Sequence, residues 1–278
     1  MKMTHKKNAK LKFMRYLFFF LFFFCLQGCR SESPLIKPSE LALQIYDQTR
    51  DYRESKQLSS LTLLPEISAV ARAHSEDMLK RSFFDHINPE SESPYDRLVK
   101  ALPQYFILSS GENLALQSQD EMDSEQLSKH LLTLWDASPD HHEQLMEPSY
   151  RHLGIGVIQS EEGVIYATQL FATVLAELLT PIPVTVPEQP VLTLRFRFFS
   201  PFPKSELTAF LRTSNGFERF EGPQGRMYRG KGPLAIRWDS EQSFHIDIPT
   251  HLGFGTYRLR LGRNSTYFEQ DYVINVGE

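Results

Sequence analysis

Cysteine is almost missing from this sequence of 278 residues, since Cys25 and Cys29 are the only two. Both lie near the N-terminus, so no disulfide can hold the rest of the chain together, and its stability must come from a packed core. The length allows such a core and suggests one or two domains. Basic runs are missing beyond the N-terminus, which argues against nucleic acid as a partner. No Gly-x-Ser-x-Gly, His-Glu-x-x-His or phosphate-binding loop is present either, so the evidence for an enzyme is thin.

The first 28 residues predict a lipoprotein signal peptide. Residues 1–28 carry six basic and no acidic side chains, and Tyr16–Cys25 is an unbroken apolar run. A run of this length is too short for a hydrocarbon core of ~30 Å, which takes ~20 residues, so it is typical of a secretory signal. Leu-Gln-Gly-Cys over residues 26–29 resembles the lipobox of bacterial lipoproteins, which implies cleavage before Cys29 and lipidation of its sulfur. An uncleaved anchor and an ordinary cleavage site are the alternatives.

Cleavage would make the chain more acidic and attach it to a membrane. The whole chain has 30 basic and 34 acidic residues, so residues 29–278 would have 30 − 6 = 24 basic residues and a net charge of 24 − 34 = −10. Residues 29–38 are polar with two prolines and predict a tether. We expect a protein of the bacterial cell envelope, lipid-anchored at the outer membrane or another extracytoplasmic surface. Arg30, where an Asp would favour inner-membrane retention, favours the outer membrane.

The spacing of apolar residues predicts helices early in the chain and strands late. Capping residues and helical periodicity predict helices over residues 39–54, 65–81, 94–102 and 139–146. A further helix is predicted to begin at residue 123 or 124 and to carry Trp135 on its buried face. Two strands, 153–158 and 164–171, follow as a hairpin. Helices around a small antiparallel sheet make an α+β fold, so residues 39–179 are predicted to be an α–β–α sandwich.

The C-terminal third has a different pattern. Residues 180–190 contain four prolines and predict a stiff, extended linker. About seven short strands follow, beginning with the alternating residues 192–198, and Asn-Gly at 215–216 predicts a hairpin turn. Residues 191–278 are therefore predicted to be a small all-β sandwich of the immunoglobulin type, and a small open barrel is the alternative.

Three polar residues from separate segments are the candidates for function. His86 lies in Phe-Phe-Asp-His, Glu112 in Gly-Glu-Asn-Leu-Ala and His141 in Trp-Asp-Ala-Ser-Pro-Asp-His. Each is at the edge of a predicted regular element, where side chains can converge in a cleft. Two imidazoles and a carboxylate can bind a divalent cation or transfer protons.

The order of these motifs, over roughly residues 41–172, resembles the CAP superfamily and most closely its bacterial branch, the SCP-like extracellular proteins. The resemblance implies an α–β–α sandwich whose cleft carries a His, Glu, Glu, His tetrad able to hold Zn²⁺ or Mg²⁺. His86, Glu112 and His141 match three members of the tetrad, whereas Ser138 stands at the position of the remaining glutamate. A metal would then have these three protein ligands, with water filling the rest. Without metal, Glu112 is expected to hydrogen-bond to a histidine.

The other polar residues of this segment are expected to have structural roles. His74 lies on the apolar face of its helix and is predicted to be a core residue. Arg97 is predicted to pair with a carboxylate, Ser138 to cap a helix with its hydroxyl, and His142 and His152 to lie at the surface. A serine occupied in this way is a poor nucleophile for a neighbouring histidine.

These observations favour a binding or scaffold module at the cell envelope over an enzyme. The family resemblance implies lipid, sterol or protein ligands without choosing among them. One alternative is a metal-dependent, peptidase-like hydrolase of envelope material, with His86 and His141 as metal ligands and Glu112 as general base. Another is an adhesin-like surface protein whose β domain carries the binding.

Overall fold

A computed structural model describes residues 36–183, 185–188, 191–199, 201–214, 219–221, 227–229, 231–264 and 266–277. The predicted signal peptide, the lipidation site Cys29 and the Asn-Gly turn at 215–216 lie outside these residues. Among the helices of the described chain, none combines the length and the apolar character needed to cross a membrane.

Five α-helices occupy the first half of the described chain. They are α1 (Pro38–Ser55), α2 (Pro65–Arg81), α3 (Pro94–Ala101), α4 (Ser124–Ala137) and α5 (Pro139–Met146). All but α4 have proline in the first positions, where its missing N–H is not needed. Helices α3 and α4 begin with capping boxes, so two backbone donors are satisfied at each start. The predicted helices are confirmed to within one residue, although Ser39 lies inside α1 and is not its N-cap.

The central sheet begins with β1 (Thr62–Leu63), β2 (Tyr105–Ser118), β3 (His152–Gln159) and β4 (Val164–Leu178). Strands β3 and β4 form the predicted hairpin, but β4 continues well past residue 171. The expectation that strands come only after the helices is wrong, because β2 lies between α3 and α4 and pairs antiparallel with β4 along its length. Strand β1 pairs parallel with β3.

Helices cover both faces of this sheet. Buried side chains of α1, α4 and α5, including Leu41, Leu131 and Leu145, pack with Phe171 on one face. Those of α2 and α3 pack with Leu170 on the other face. The α–β–α sandwich is therefore confirmed. Trp135 is buried as predicted, and its indole N–H donates to the carbonyl of Leu114 at 2.9 Å.

The remaining described chain consists of strands and two short 3₁₀ turns. The strands are β5 (Val186–Pro187), β6 (Leu192–Phe198), β7 (Leu207–Thr213), β8 (Arg219–Glu221), β9 (Met227–Arg229), β10 (Gly232–Leu234), β11 (Ile236–Trp238), β12 (Ser243–Ile248), β13 (Gly255–Arg263) and β14 (Thr266–Gly277). One sheet has the order β10-β7-β13-β14-β5, and β8 pairs with β9. Strands β6, β12 and β11 extend the central sheet beyond β4.

The two halves of the chain therefore share a sheet and a core. Strand β4 pairs with β6 at its C-terminal end, where Ala176 is opposite Phe198. Phe106 from β2 lies in the same apolar cluster as Leu211 and Leu259 from the second sheet. Within the predicted linker, Val186 is buried and pairs with β14, so the described part of that segment is packed against the second sheet. The immunoglobulin-like topology of residues 191–278 stays a prediction.

A glutamine side chain also joins the halves at an irregularity in β2. The pairing register of β2 shifts around Ile107. Gln270 of β14 donates its amide N–H to the carbonyl of Tyr105 at 2.7 Å and accepts from the N–H of Ile107 at 2.8 Å. The side chain thus satisfies two backbone groups at the irregularity, where the register of β2 with β4 is broken.

Candidate ligand-binding cleft

Glu112 lies at the centre of the candidate site. It is opposite Leu170 in the β2–β4 ladder, so its side chain is on the sheet face that α2 and α3 cover. The side chain is 1% exposed. A Cβ on the preceding Gly111 would lie 1.9 Å from Oε1 of Gln144 and 2.1 Å from the hydroxyl of Tyr150. Glycine at this position therefore leaves room for the side chains of Gln144 and Tyr150 beside the strand.

Both carboxylate oxygens of Glu112 have a partner. Nδ1 of His86 lies 2.9 Å from Oε1, and Nη2 of Arg97 donates to Oε2 at 2.5 Å. Because an ionised carboxylate only accepts, Nδ1 of His86 must carry the proton of this hydrogen bond. In the neutral ring, Nε2 is then the acceptor that a ligand can contact. The side chain of His86 is 45% exposed, so the imidazole is accessible.

Arg97 holds this arrangement together from α3. In addition to Glu112, its Nη1 donates to the carbonyls of His86 at 2.7 Å and Glu92 at 3.1 Å. One guanidinium therefore fixes both the carboxylate and the loop that carries the histidine. The prediction that Arg97 pairs with a carboxylate is confirmed, and the carboxylate is that of the candidate site itself.

His74 lies beneath the cluster in α2. It is buried, as predicted, and its Nε2 lies 3.0 Å from the carbonyl of Asp85 and 3.8 Å from Oε1 of Glu112. Burial lowers the pKa of His74 against the opposing effect of the Glu112 carboxylate, so the neutral ring is favoured. Its helical spacing indicated an inward side chain, but sequence reasoning did not place it beside Glu112.

His141 reaches the site from α5. Its ring lies edge-on to that of His86, with centroids 6.5 Å apart. Burial lowers the pKa of His141, and the positive charge of a protonated His86 lowers it further. Asn113 donates to the carbonyl of His141 at 3.1 Å and to Oε1 of Gln169 at 2.9 Å, so it attaches α5 to the sheet.

Ser138, the fourth predicted site residue, makes no side-chain hydrogen bond to His86, Glu112 or His141 in the described chain. It occupies the N-cap position of α5, but its side chain makes no capping hydrogen bond, so that predicted role is wrong. Within the described chain, no serine, threonine or cysteine side chain hydrogen-bonds to the ring of His86 or His141. His142 pairs with Asp136 at 2.8 Å at the surface, as predicted.

The prediction that His152 lies at the surface is wrong. It is 3% exposed, its ring lies 5.0 Å from that of Phe199, and its Nδ1 accepts from the N–H of Val174 at 3.3 Å. Burial lowers the pKa of His152 to about 4. His152 is therefore a neutral residue of the interior, at the junction with the C-terminal strands.

The predicted metal ligands do not fit a metal ion in this arrangement. Among the described residues, no three His, Cys, Asp or Glu side chains are placed to hold one cation. Glu112 is already engaged by His86 and Arg97, and a guanidinium on the carboxylate repels a divalent cation. The assignment of His86, Glu112 and His141 as ligands of Zn²⁺ or Mg²⁺ therefore stays a prediction. Glu112, His86 and Arg97 form a hydrogen-bonded cluster, and the ring of His141 lies edge-on to that of His86.

The part of the chain that contains this cleft is similar to known proteins. Residues 46–171 match the model of CAP, the cysteine-rich secretory protein family. YkwD of Bacillus subtilis strain 168, an uncharacterized protein, is 27% identical over 126 residues, which are 45% of this chain and 45% of YkwD. YlbC of the same organism, an uncharacterized membrane protein, is 31% identical over 114 residues, 41% of this chain and 30% of YlbC.

Among solved structures, an extracellular protein of Bacillus anthracis that contains an SCP domain matches 50% of this chain and 45% of its own, with 26% identity and a TM-score of 0.41. The chain thus spans less than half the length of the curated relatives it matches. The matched region includes His86, Glu112 and His141 together with both helical layers. Residues 46–171 of this chain are therefore similar to the CAP, or cysteine-rich secretory protein, family over the part that holds the cleft.

Proposed function

We propose that this protein is an exported, lipid-anchored CAP-domain protein that acts as a binding or scaffold module at the bacterial cell envelope. The basic head, the apolar run and the Leu-Gln-Gly-Cys sequence ending at Cys29 support export and anchoring. The relative YlbC is named a membrane protein, which agrees with an envelope location. The cleft of the CAP domain is the proposed ligand site.

The observation that carries the binding role is the way the cleft uses its polar groups. Each oxygen of the Glu112 carboxylate has a partner, Arg97 on one and His86 on the other, while the rings of His86 and His141 lie next to each other and remain partly exposed. Imidazoles held in this way can accept or donate hydrogen bonds to a ligand. No serine, threonine or cysteine side chain among the described residues is hydrogen-bonded to either ring, so a hydroxyl or thiol nucleophile paired with one of these histidines finds no support here.

Against the metal-dependent hydrolase alternative stands Arg97, which donates a hydrogen bond to the carboxylate that would serve as general base. What remains in its favour is the His86–Glu112 hydrogen bond, since a carboxylate orients a histidine in the same way in many hydrolases. The adhesin alternative rests on the C-terminal strands. Strand β6 of this part pairs with the C-terminal end of β4.

A binding assay on residues 30–278 tests the proposal. Vesicles of envelope lipids, sterol-containing vesicles and purified cell wall are the probes, and the variants are His86→Ala, His141→Ala and the surface control His142→Ala. We expect saturable binding to one probe that both cleft variants weaken about tenfold or more, whereas His142→Ala binds as the unmodified protein does. Turnover of envelope material that disappears in His86→Ala would contradict the binding role and support the hydrolase.

Anchoring is tested separately in the full chain expressed in a bacterium. We expect the protein in the membrane fraction, with its mass increased by the attached lipid. A Cys29→Ser variant should be released from that fraction. A Cys29→Ser variant that stays in the membrane fraction at the unmodified level would contradict a lipid anchor.

A further inference from the structure

We propose that Arg97 is the resident cation of the cleft and the residue that decides its ligand specificity, by excluding divalent metal ions from His86, Glu112 and His141. This inference goes beyond the proposed function, because it holds whichever ligand the cleft takes. The ligand that enters the cleft is then one that binds by hydrogen bonds and not through a metal ion.

The first support is how firmly the guanidinium is held. Arg97 lies in α3, just after the capping box of Ser93 and Asp96, and its side chain is 9% exposed. Its two terminal nitrogens donate to three acceptors, namely one oxygen of Glu112 and the backbone carbonyls of His86 and Glu92. A planar fork bound on both arms is fixed in place, unlike a lysine ammonium on a flexible stem.

The second support is the charge of the site. With neutral imidazoles, the negative charge of Glu112 is offset by the positive charge of Arg97 at 2.5 Å. A divalent cation is held by negative or neutral donors, and here it would meet the positive charge of a guanidinium that is 9% exposed and therefore little screened by water. The guanidinium therefore neutralises the Glu112 carboxylate, as a metal ion does in a site built from histidine and glutamate.

The third support is the donor inventory. Nδ1 of His86 is used by Glu112, so one nitrogen of that ring remains for a ligand. Glu112 has one oxygen on His86 and the other on Arg97, and its side chain is 1% exposed. His141 contributes a ring whose centroid is 6.5 Å from that of His86. Two imidazole nitrogens without an available carboxylate are a poor site for Zn²⁺ and a worse one for Mg²⁺.

Removing the guanidinium should convert the cleft into a metal site. The experiment is calorimetric titration of residues 30–278 with Zn²⁺, using the unmodified protein, Arg97→Gln and the matched control Lys100→Gln, which removes an exposed cation from the same helix. We expect Arg97→Gln to bind about one Zn²⁺ per chain at least tenfold more tightly than the unmodified protein, and Lys100→Gln to show no gain. The gain should be lost in the double variant Arg97→Gln/Glu112→Gln.

A second variant keeps the test decisive if Arg97→Gln does not fold. Arg97→Lys keeps the charge and loses the fork, so Zn²⁺ affinity should stay at the level of the unmodified protein; a tenfold gain would overturn the charge argument. The Zn²⁺ titration of the unmodified protein is an independent test. Stoichiometric Zn²⁺ binding that is lost in His86→Ala and retained in His142→Ala would overturn the proposal, as would a folded Arg97→Gln without gained affinity.

Discussion

Acid should destabilise this protein through one buried histidine, His152. The ring lies against Phe199 and accepts a hydrogen bond from the backbone of Val174, at the place where β3 meets the C-terminal strands. Burial lowers its pKa to about 4 in the folded chain. A histidine of the unfolded chain has a pKa near ~6.5. Folding therefore depends on keeping this ring neutral.

The sign and size of the effect follow from these two values. Between pH 4 and 6.5 the unfolded chain binds more protons at this residue than the folded chain, so the free energy of unfolding falls as the pH falls. The contribution is fully present above about pH 6.5 and is lost progressively toward pH 4. Since one pKa unit corresponds to about 1.4 kcal/mol, the loss from pH 7.5 to pH 4.5 is about 2.5 kcal/mol for His152 alone.

Urea unfolding at pH 7.5 and pH 4.5 measures this loss in residues 30–278. The variant His152→Asn keeps an acceptor near the position of Nδ1 and cannot be protonated, so its stability difference between the two pH values should be smaller than that of the unmodified protein by about 2.5 kcal/mol. The surface control His142→Asn should not show this reduction. An unchanged pH dependence in His152→Asn would refute the argument that this ring is buried and neutral.

Three further predictions concern stability and use urea unfolding at pH 7.5. Gln270→Ala should lose about 1–3 kcal/mol, because two backbone groups of β2 lose their partner, whereas the exposed Gln242→Ala should change little. Gly154→Ala should lose about 3 kcal/mol, because its Cβ would lie 2.4 Å from the backbone of α2, which cannot move aside; an unchanged midpoint would contradict this packing. Arg97→Leu should lose about 3–5 kcal/mol by leaving Glu112 buried and unpaired, and the added change Glu112→Leu should restore most of it; failure to restore would contradict the pairing.

Local signals explain why the helices could be predicted from the sequence and one strand could not. Proline, serine and aspartate mark helix starts within a few residues, so α2 and α5 are predicted with the observed ends. Strand β2 has no comparable signal, because Ser-Ser-Gly-Glu-Asn interrupts its apolar pattern at residues 109–113. Its extended form comes from pairing with β4, which begins more than forty residues further along the chain.

The candidate site shows the same division. The order of the motifs predicted that His86, Glu112 and His141 lie in one cleft, and in the structure they do. The metal interpretation did not include Arg97 because its partner could not be identified until β2 was known to place Glu112 beneath α3. His152 was misplaced for a similar reason, since the ring that covers it comes from Phe199, beyond the predicted linker.

A crystal structure of residues 30–278 soaked in Zn²⁺, with anomalous data at the zinc edge, distinguishes a cleft neutralised by arginine from a metal site. We expect the Arg97 guanidinium on the Glu112 carboxylate, His86 on its other oxygen, and no zinc peak between His86, Glu112 and His141. A zinc peak about 2.0–2.3 Å from these three side chains, with Arg97 displaced from Glu112, would contradict it.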